Sequence, residues 1–350
     1  MLTMLPEPPA PPLRLILDTQ ALSDNWLTLN RLSGSARAGA AVKADGYGLG
    51  ARRVTELLVN AGCRDFFVAY SSEAAAISGI AAPETISVLH GPLSDSDAFY
   101  IKAAGFRPVI NSLAQAKRWH NAGGGICDLM VDTGINRLGL PMGELCDPLI
   151  ARLEVQVLMS HLASADETSP MNGLQCARWA EARRQVPARE SSLANSAGIM
   201  LGSAFHGDLT RPGLSLYGGW QRAELDGQIK QVAVPQVVLM QVRELEAGDG
   251  VGYNSTFIAA SPMRVGIVAL GYADGYLRAW SNKGRLLHGG VVLPVIGRVS
   301  MDMTVVDLGL APHLQEGDWL DVAYSLPEAA STSGIGQYEL LTLLGRRYQR

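Results

Sequence analysis

Between about residue 14 and residue 220 the chain repeats one pattern: a short apolar run, then a helix-length amphipathic stretch. The runs are AAVKA (40–44), DFFVAY (65–70), ISVLHG (86–91), RPVINS (107–112), CDLMVDT (127–133), VQVLMSH (155–161), SSLANS (191–196) and DLTRPG (208–213). ARRVTELLVNAG and CARWAEARRQ are typical of the stretches between them. Near-continuous apolar runs joined by crossovers long enough for a helix predict parallel strands buried on both faces. Eight such units in about 200 residues fit a (β/α)8, TIM-like barrel.

The polar stretch QRAELDGQIK (221–230) ends this rhythm. Beyond it QVVLMQVREL, MRVGIVALGYADG, GVVLPVIGRV and MTVVDLG are β-branched and separated by glycine-rich turns, which predicts a mainly β second domain. The closing YELLTLLGRRY predicts a short helix. The expected division is an extended arm over 1–13, the barrel over 14–226 and the β domain over 227–350, an α/β chain overall.

A chain of 350 residues, 47% hydrophobic and 18% charged, can bury a substantial core. Its net charge of −4 gives no electrostatic case for nucleic acid. MLTMLPEPPAPPLRL lacks the basic and apolar regions of a signal peptide. No run approaches the roughly 18 apolar residues of a membrane span. A cytoplasmic protein with no membrane partner is expected. Cys63, Cys127, Cys146 and Cys176 form no C-x-x-C pair and no zinc spacing, so buried or half-buried thiols and no metal are expected.

Barrels of this kind work at the C-terminal ends of their strands. The polar residues that interrupt or end the apolar runs are Lys43, Asp132, Arg137, His161, Asn195, Ser196 and Arg211. Lys43 ends its strand and reaches solvent, or pairs with Asp45, or carries a lowered pKa and forms a Schiff base. His161 is a hydrogen-bonded structural residue or a catalytic one. Arg137 and Arg211 are halves of ion pairs or anion ligands. Gly213, Gly218 and Gly219 are turns, or a backbone that closes on phosphate at the eighth strand. In the β domain Tyr253 is surface packing or a working phenol. Asp302, read within an apolar strand, needs a partner such as a backbone amide or Arg298.

Taken together, AVKADGYGLG, MVDTGINRLGL, SHLASADE, LANSAG, TRPGLSLYGG, VGYNSTF, GYADGY and GRVSMDM resemble, in order, the sequence blocks of bacterial alanine racemases. The resemblance runs from about residue 14 to the C-terminus. It implies a pyridoxal-phosphate enzyme, a homodimer with shared active sites, that interconverts L- and D-alanine with two bases. Lys43 holds the cofactor and serves one face of the substrate; Tyr253, donated by the partner subunit, serves the other. The logic is sound, because a single base returns the proton to the side it left. The resemblance makes His161 and Arg211 a relay behind Tyr253, with Arg211 at the pyridine nitrogen. Tyr47, Ser196, Gly213 and Leu214 match phosphate contacts. Arg137 matches a contact to the cofactor's phenolic oxygen and the substrate carboxylate, which the Met301 N–H also meets. Tyr272 and Asp302 match residues at the substrate's way in.

Three positions depart from the pattern. Met130 stands where many relatives have a carbamylated lysine, so Arg137 needs another means of orientation, an anion or Asn136. Ser300 stands where some relatives have cysteine. A C-terminal tyrosine that braces the cofactor has no clear match, Arg346 or a neighbour aligning there with Tyr348 close by. Within the same fold, a serine or broad-specificity amino-acid racemase is the alternative. A pyridoxal decarboxylase is disfavoured by Arg211 and the GYADGY and GRVSMDM blocks, and a non-catalytic pyridoxal-binding barrel by the β domain.

Overall fold

The computed structural model describes residues 9–345 and 347–349. The chain forms two compact units. One is Thr19–Lys230; the other is Gln231 onward together with the segment that ends at Asp18.

In the first unit the strands Ala40–Ala41, Phe66–Val68, Ile86–Val88, Arg107–Ile110, Ile126–Asp132, Glu154–Met159 and Glu190–Ser192 each lie parallel to the next. Leu209–Thr210 closes the ring. It pairs in parallel with Arg37–Ala38, and the Asp208 N–H donates to Ser191 O at 2.8 Å. All eight predicted runs therefore supply barrel strands. The short strands Phe66–Val68, Ile86–Val88 and Arg107–Ile110 are buried at every position, as a sheet covered by helices requires. Gly39 shows how tight the ring is: a Cβ there would stand 2.8 Å from Asp65 O.

The helices between the strands include Thr19–Leu32, Ala51–Ala61, Asp95–Ala104, Leu113–Asn121 and Pro170–Gln185. Several start on hydroxyl caps. Ser94 accepts the Asp97 N–H, and Ser112 the Gln115 N–H.

An ionic network spans the strand starts. Arg37 meets Asp65 at 2.7 Å and Glu190 at 2.6 Å, and Arg107 meets Asp65 at 3.5 Å and Asp128 at 3.6 Å. Asp128, fully buried, also accepts from Ser87 Oγ at 2.6 Å and from the Val157 N–H at 3.1 Å, beside a register shift between Cys127 and Leu129. Its position at the N-terminal face of the barrel marks it as stabilising rather than chemical.

The second unit is antiparallel. Its strands run in the order Leu13–Leu17, Ala233–Leu245, Met263–Val268, Thr304–Asp307, Val291–Ile296, Arg285–His288 and Trp319–Val322, and the last pairs back onto Ala233–Leu245 to close a barrel. The first half of Ala233–Leu245 alternates buried and half-buried residues, the period-2 signature of a strand with one face on a core. The YELLTL start of YELLTLLGRRY lies in the helix Gln337–Leu343, the short helix predicted.

Two expectations differ from the structure here. The barrel was expected from residue 14, but Leu13–Leu17 pairs with the second unit, Leu13 opposite Val237 and Leu17 opposite Ala233, and the other division falls at 230/231 rather than 226/227. Asp302 lies in the turn between Val291–Ile296 and Thr304–Asp307, not within a strand. Residues 1–8 of the expected arm, and Arg346, lie outside the described residues. Among the cysteines, Cys63 and Cys127 are buried, Cys176 is half-buried and Cys146 is exposed, against the expectation for that residue. Among the described residues no helix is long and apolar enough to cross a membrane.

Candidate active site

The first barrel strand ends at Ala41, and Lys43 opens a turn of unusual hand. Ala44, Asp45, Gly46 and Tyr47 have φ of 53°, 54°, 62° and 56°. The left-handed region costs a residue with a Cβ about 1–2 kcal/mol, so the turn needs support. Asp45 Oδ1 accepts the Ala51 N–H at 2.8 Å, and the Asp45 carbonyl accepts the Gly50 N–H at 2.9 Å. Tyr47 stacks on Tyr217 with centroids 4.6 Å apart, and the Tyr217 hydroxyl donates to Ala41 O at 2.8 Å. The Asp45 carboxylate is thus engaged in the turn, and among the described residues Lys43 makes no ion pair with it. Burial foremost, then the charges of Arg137 and Arg211, pushes the Lys43 amine below its usual range; Glu73 acts in the opposite sense.

Arg211 follows the eighth strand and is buried. Its guanidinium donates to Ser192 O at 2.8 Å, to Ser192 Oγ and to Ser160 O. Every acceptor is neutral, and burial pushes its pKa down to about 10, which leaves it charged at neutral pH. His161 stands next to Ser160. Burial, then Arg211, Arg137 and Lys43, pushes its imidazole down to about 3, so the ring is neutral. Among the described residues its ring makes no hydrogen bond to Arg211; the two are coupled by charge and through the Ser160 carbonyl.

At the same end Ser196 Oγ accepts the Gly213 N–H at 2.9 Å and the Ser215 N–H at 3.3 Å. A Cβ on Gly213 would stand 2.2 Å from the Tyr47 hydroxyl, so only glycine leaves room there. The buried Ser215 Oγ has no hydrogen-bond partner among the described residues. Leu214 is buried and opens the turn Leu214–Tyr217. Small residues, hydroxyls and backbone amides thus gather here, against Tyr47 of the turn that follows Lys43.

Arg137 is exposed on the loop after the fifth strand. Asp132 holds that loop by accepting the Gly134, Asn136 and Arg137 amides at 2.8, 3.2 and 3.1 Å. Met130 is buried and supplies no polar group. Asn136, with φ 54°, is exposed in the same loop. Asn195 Oδ1 caps its own turn by accepting the Gly198 N–H at 2.8 Å.

In the antiparallel unit Tyr253 is 66% exposed and follows Gly252 at φ 68°. The GYADGY and GRVSMDM blocks abut: the Tyr272 N–H donates to Ser300 O at 3.0 Å and the Ala273 N–H to Met301 O at 3.1 Å. Among the described residues no hydrogen bond engages the Met301 N–H. The partner of Asp302 is Arg347, at 2.6 Å, not Arg298. The same guanidinium lies 3.6 Å from the buried Asp274. Tyr348 is buried, and burial pushes its phenol far above its usual range. Residues that sequence reasoning passed over are Ser160 and Ser192, the acceptors of Arg211, and Glu73. Ser192 lies in the quoted run SSLANS; nothing local marks Glu73.

Fold and site define a class: a parallel barrel with a half-buried lysine just beyond its first strand, followed by an antiparallel β unit. The alanine racemase N-terminal domain model matches residues 17–221 and the C-terminal domain model residues 232–350. The chain belongs to the alanine racemase family. It is 38% identical to an alanine racemase of Methylobacterium nodulans over 96% of this chain and 95% of that protein. It is 39% identical to a catabolic alanine racemase of Agrobacterium fabrum over 96% of this chain and 91% of that one. Alanine racemase from Bartonella henselae, solved with covalently bound pyridoxal phosphate, superposes with a TM-score of 0.88 at 33% identity, covering 98% of this chain and 99% of that one.

Proposed function

We propose that this chain interconverts L- and D-alanine with pyridoxal phosphate held on Lys43 and with Lys43 and Tyr253 as the two proton-transfer groups. Family membership across nearly the whole chain supports the activity. The observation that carries the site is the half-buried Lys43 amine, biased toward its neutral form by burial and two arginines, at the rim of an anion cradle.

The cradle fits the cofactor: Gly213 has no room for a Cβ, and Ser215 Oγ is a buried hydroxyl without a partner among the described residues. Tyr47, Ser196, Gly213 and Leu214 would hold the phosphate. Bound there, pyridoxal phosphate supplies an electron sink that makes the α-proton of an amino acid removable. Arg211 is a donor only, so it would offer the pyridine nitrogen a hydrogen bond while retaining its own proton. Arg137 and the Met301 N–H would take the substrate carboxylate. Asp132, through the amides it gathers, orients the Arg137 loop in place of the missing lysine at Met130. A neutral Lys43 accepts a proton on one face, and Tyr253 serves the other. A neutral His161 still carries one ring N–H, which would donate to the Tyr253 oxygen and so favour the phenolate.

Tyr253 and Met301 belong to the second unit and are exposed in the single chain. We read them as the contribution of one subunit to the active site of its partner in a homodimer. Tyr272 and Asp302 would line the substrate's way in. We place the enzyme in the cytoplasm. The test is a chirality-resolved assay over L-alanine, L-serine, L-lysine and L-arginine. Alanine is expected to show the highest kcat/KM. A higher value for any other amino acid overturns the assignment and restores the broad-specificity alternative. Borohydride reduction followed by peptide mapping should label Lys43; label on Lys230 or Lys283 sinks the lysine assignment.

A further inference from the structure

The left-handed turn at Lys43 has one support from outside its own segment. Glu73, on the helix Ser71–Ile77, accepts the Ala44 N–H through Oε1 at 2.7 Å and the Ala69 N–H through Oε2 at 2.7 Å. A glutamate at this helix position ordinarily reaches back to an amide just ahead of its own helix, and the Ala69 bond is of that kind. The Ala44 bond is not: it crosses 29 residues to the first left-handed residue after Lys43. One carboxylate thus ties the end of the second strand to the turn that carries the lysine. Both bonds are charge-assisted, the stronger class of hydrogen bond.

The surroundings of Lys43 sharpen the point. Arg137 comes from the loop after the fifth strand and Arg211 from the end of the eighth. His90, after the third strand, and His161, after the sixth, both feel the Lys43 charge. Glu73 is the acid among the main groups that act on Lys43, and it opposes the two arginines. Neutralising Glu73 therefore removes both a brace and an opposing charge.

We propose that Glu73 is a positioning residue for Lys43, holding the amine-bearing turn in its left-handed form by spanning the Ala44 and Ala69 amides. The inference rests on the assignment of Lys43 as the reactive lysine. It adds that the aim of Lys43 is set by a side chain that touches neither the substrate nor the reacting atoms.

The test uses the full-length protein as purified, with Glu73→Ala and Glu73→Gln. Amide hydrogen exchange, read by mass spectrometry at single-residue resolution, should show Ala44 and Ala69 exchanging about 10-fold faster or more in Glu73→Ala, the size expected for a lost hydrogen bond to a charged group. Glu73→Gln keeps one acceptor oxygen and the side-chain volume, and should speed one of the two amides. A second readout separates positioning from general loosening. In heavy water the wild-type and Glu73→Gln proteins are compared for α-proton exchange from D- and L-alanine. By family resemblance Lys43 serves the D-enantiomer, so the D-to-L ratio should fall several-fold. Wild-type amide exchange in Glu73→Ala, or an unchanged D-to-L ratio in Glu73→Gln, overturns the role of Glu73. Borohydride mapping in the same samples keeps the two assignments apart: label away from Lys43 refutes the lysine, whereas label on Lys43 with unmoved amides refutes only Glu73.

Discussion

In the parallel barrel the candidate groups are enclosed and coupled. The charge of Arg211 acts on both Lys43 and His161, that of Lys43 acts on His161, and all three sit where burial disfavours their charge. In the antiparallel unit Tyr253, Met301 and Asp302 face outward, at 66% and 52% exposure for the first two. Solvent screens charges there, and the pair of Arg347 with Asp302 is itself half exposed. The contrast teaches that one unit encloses its polar groups while the other leaves them to solvent. On the proposed reading, a phenol that works as a base near neutral pH needs a tuned environment, which Tyr253 would obtain where a second subunit covers it.

The largest effect tests that last step. Tyr253→Phe should lower racemisation by about 10²- to 10⁴-fold, the usual contribution of a positioned acid/base group, while cofactor binding persists. Mixed with Lys43→Ala chains and allowed to exchange subunits, it should regain activity, since a mixed dimer has one intact site. No recovery despite proven exchange would place the whole site within one chain.

Next in size is the enclosed network of the barrel. Asp128→Ala leaves the buried Arg107 short of one partner and the Val157 N–H without its acceptor. A loss of about 3 kcal/mol is expected, as for other broken buried pairs, read from denaturant unfolding. A loss below about 1 kcal/mol would mean that water reaches this network and that the barrel is no drier than the second unit.

A smaller, pH-dependent effect comes from His161. In the unfolded chain its imidazole takes up a proton near 6.5, but in the folded barrel only near 3. Between those values the unfolded state binds more protons, so His161 contributes a loss of stability as pH falls from 6.5 toward 3. His161→Asn should flatten the acid side of a plot of unfolding midpoint against pH. An unchanged slope contradicts the enclosure of the ring.

The smallest effect is expected in the antiparallel unit. Asp302→Ala removes the half-exposed pair while leaving Arg347 beside Asp274, and should cost less than about 1 kcal/mol, with the residual effect shrinking as salt is added. A cost like that of Asp128 would erase the contrast between the units.

Much of this organisation was legible in the chain itself. The eight apolar runs each became a barrel strand, and Lys43, Arg211 and Ser196 lie together at the strand ends, where their runs placed them. Two charged residues within those runs, Asp128 and Arg107, were visible signals of a buried network that motif reasoning passed over. Glycines at 46 and 48 in DGYG hinted at positive φ, yet nothing local showed that Ala44, Asp45 and Tyr47 would share it. Asp302 misled for a physical reason: flanking apolar residues resemble a strand, but Met301 and Met303 are exposed in a turn.

By itself the sequence determined the kind and order of elements and the chemical types at their ends, because apolar periodicity and turn residues act over a few neighbours. Tertiary structure alone decided which distant groups meet. Leu13–Leu17 pairs with Ala233–Leu245 rather than joining the barrel that follows it. Arg37 finds Glu190 across 153 residues, and Asp302 finds Arg347 across 45. Glu73 spans two loops to brace the turn at Lys43. The Arg37–Glu190 contact depends on the closure of the parallel ring, and all of these contacts on segments far apart in the chain packing together, so no local stretch of residues encodes them.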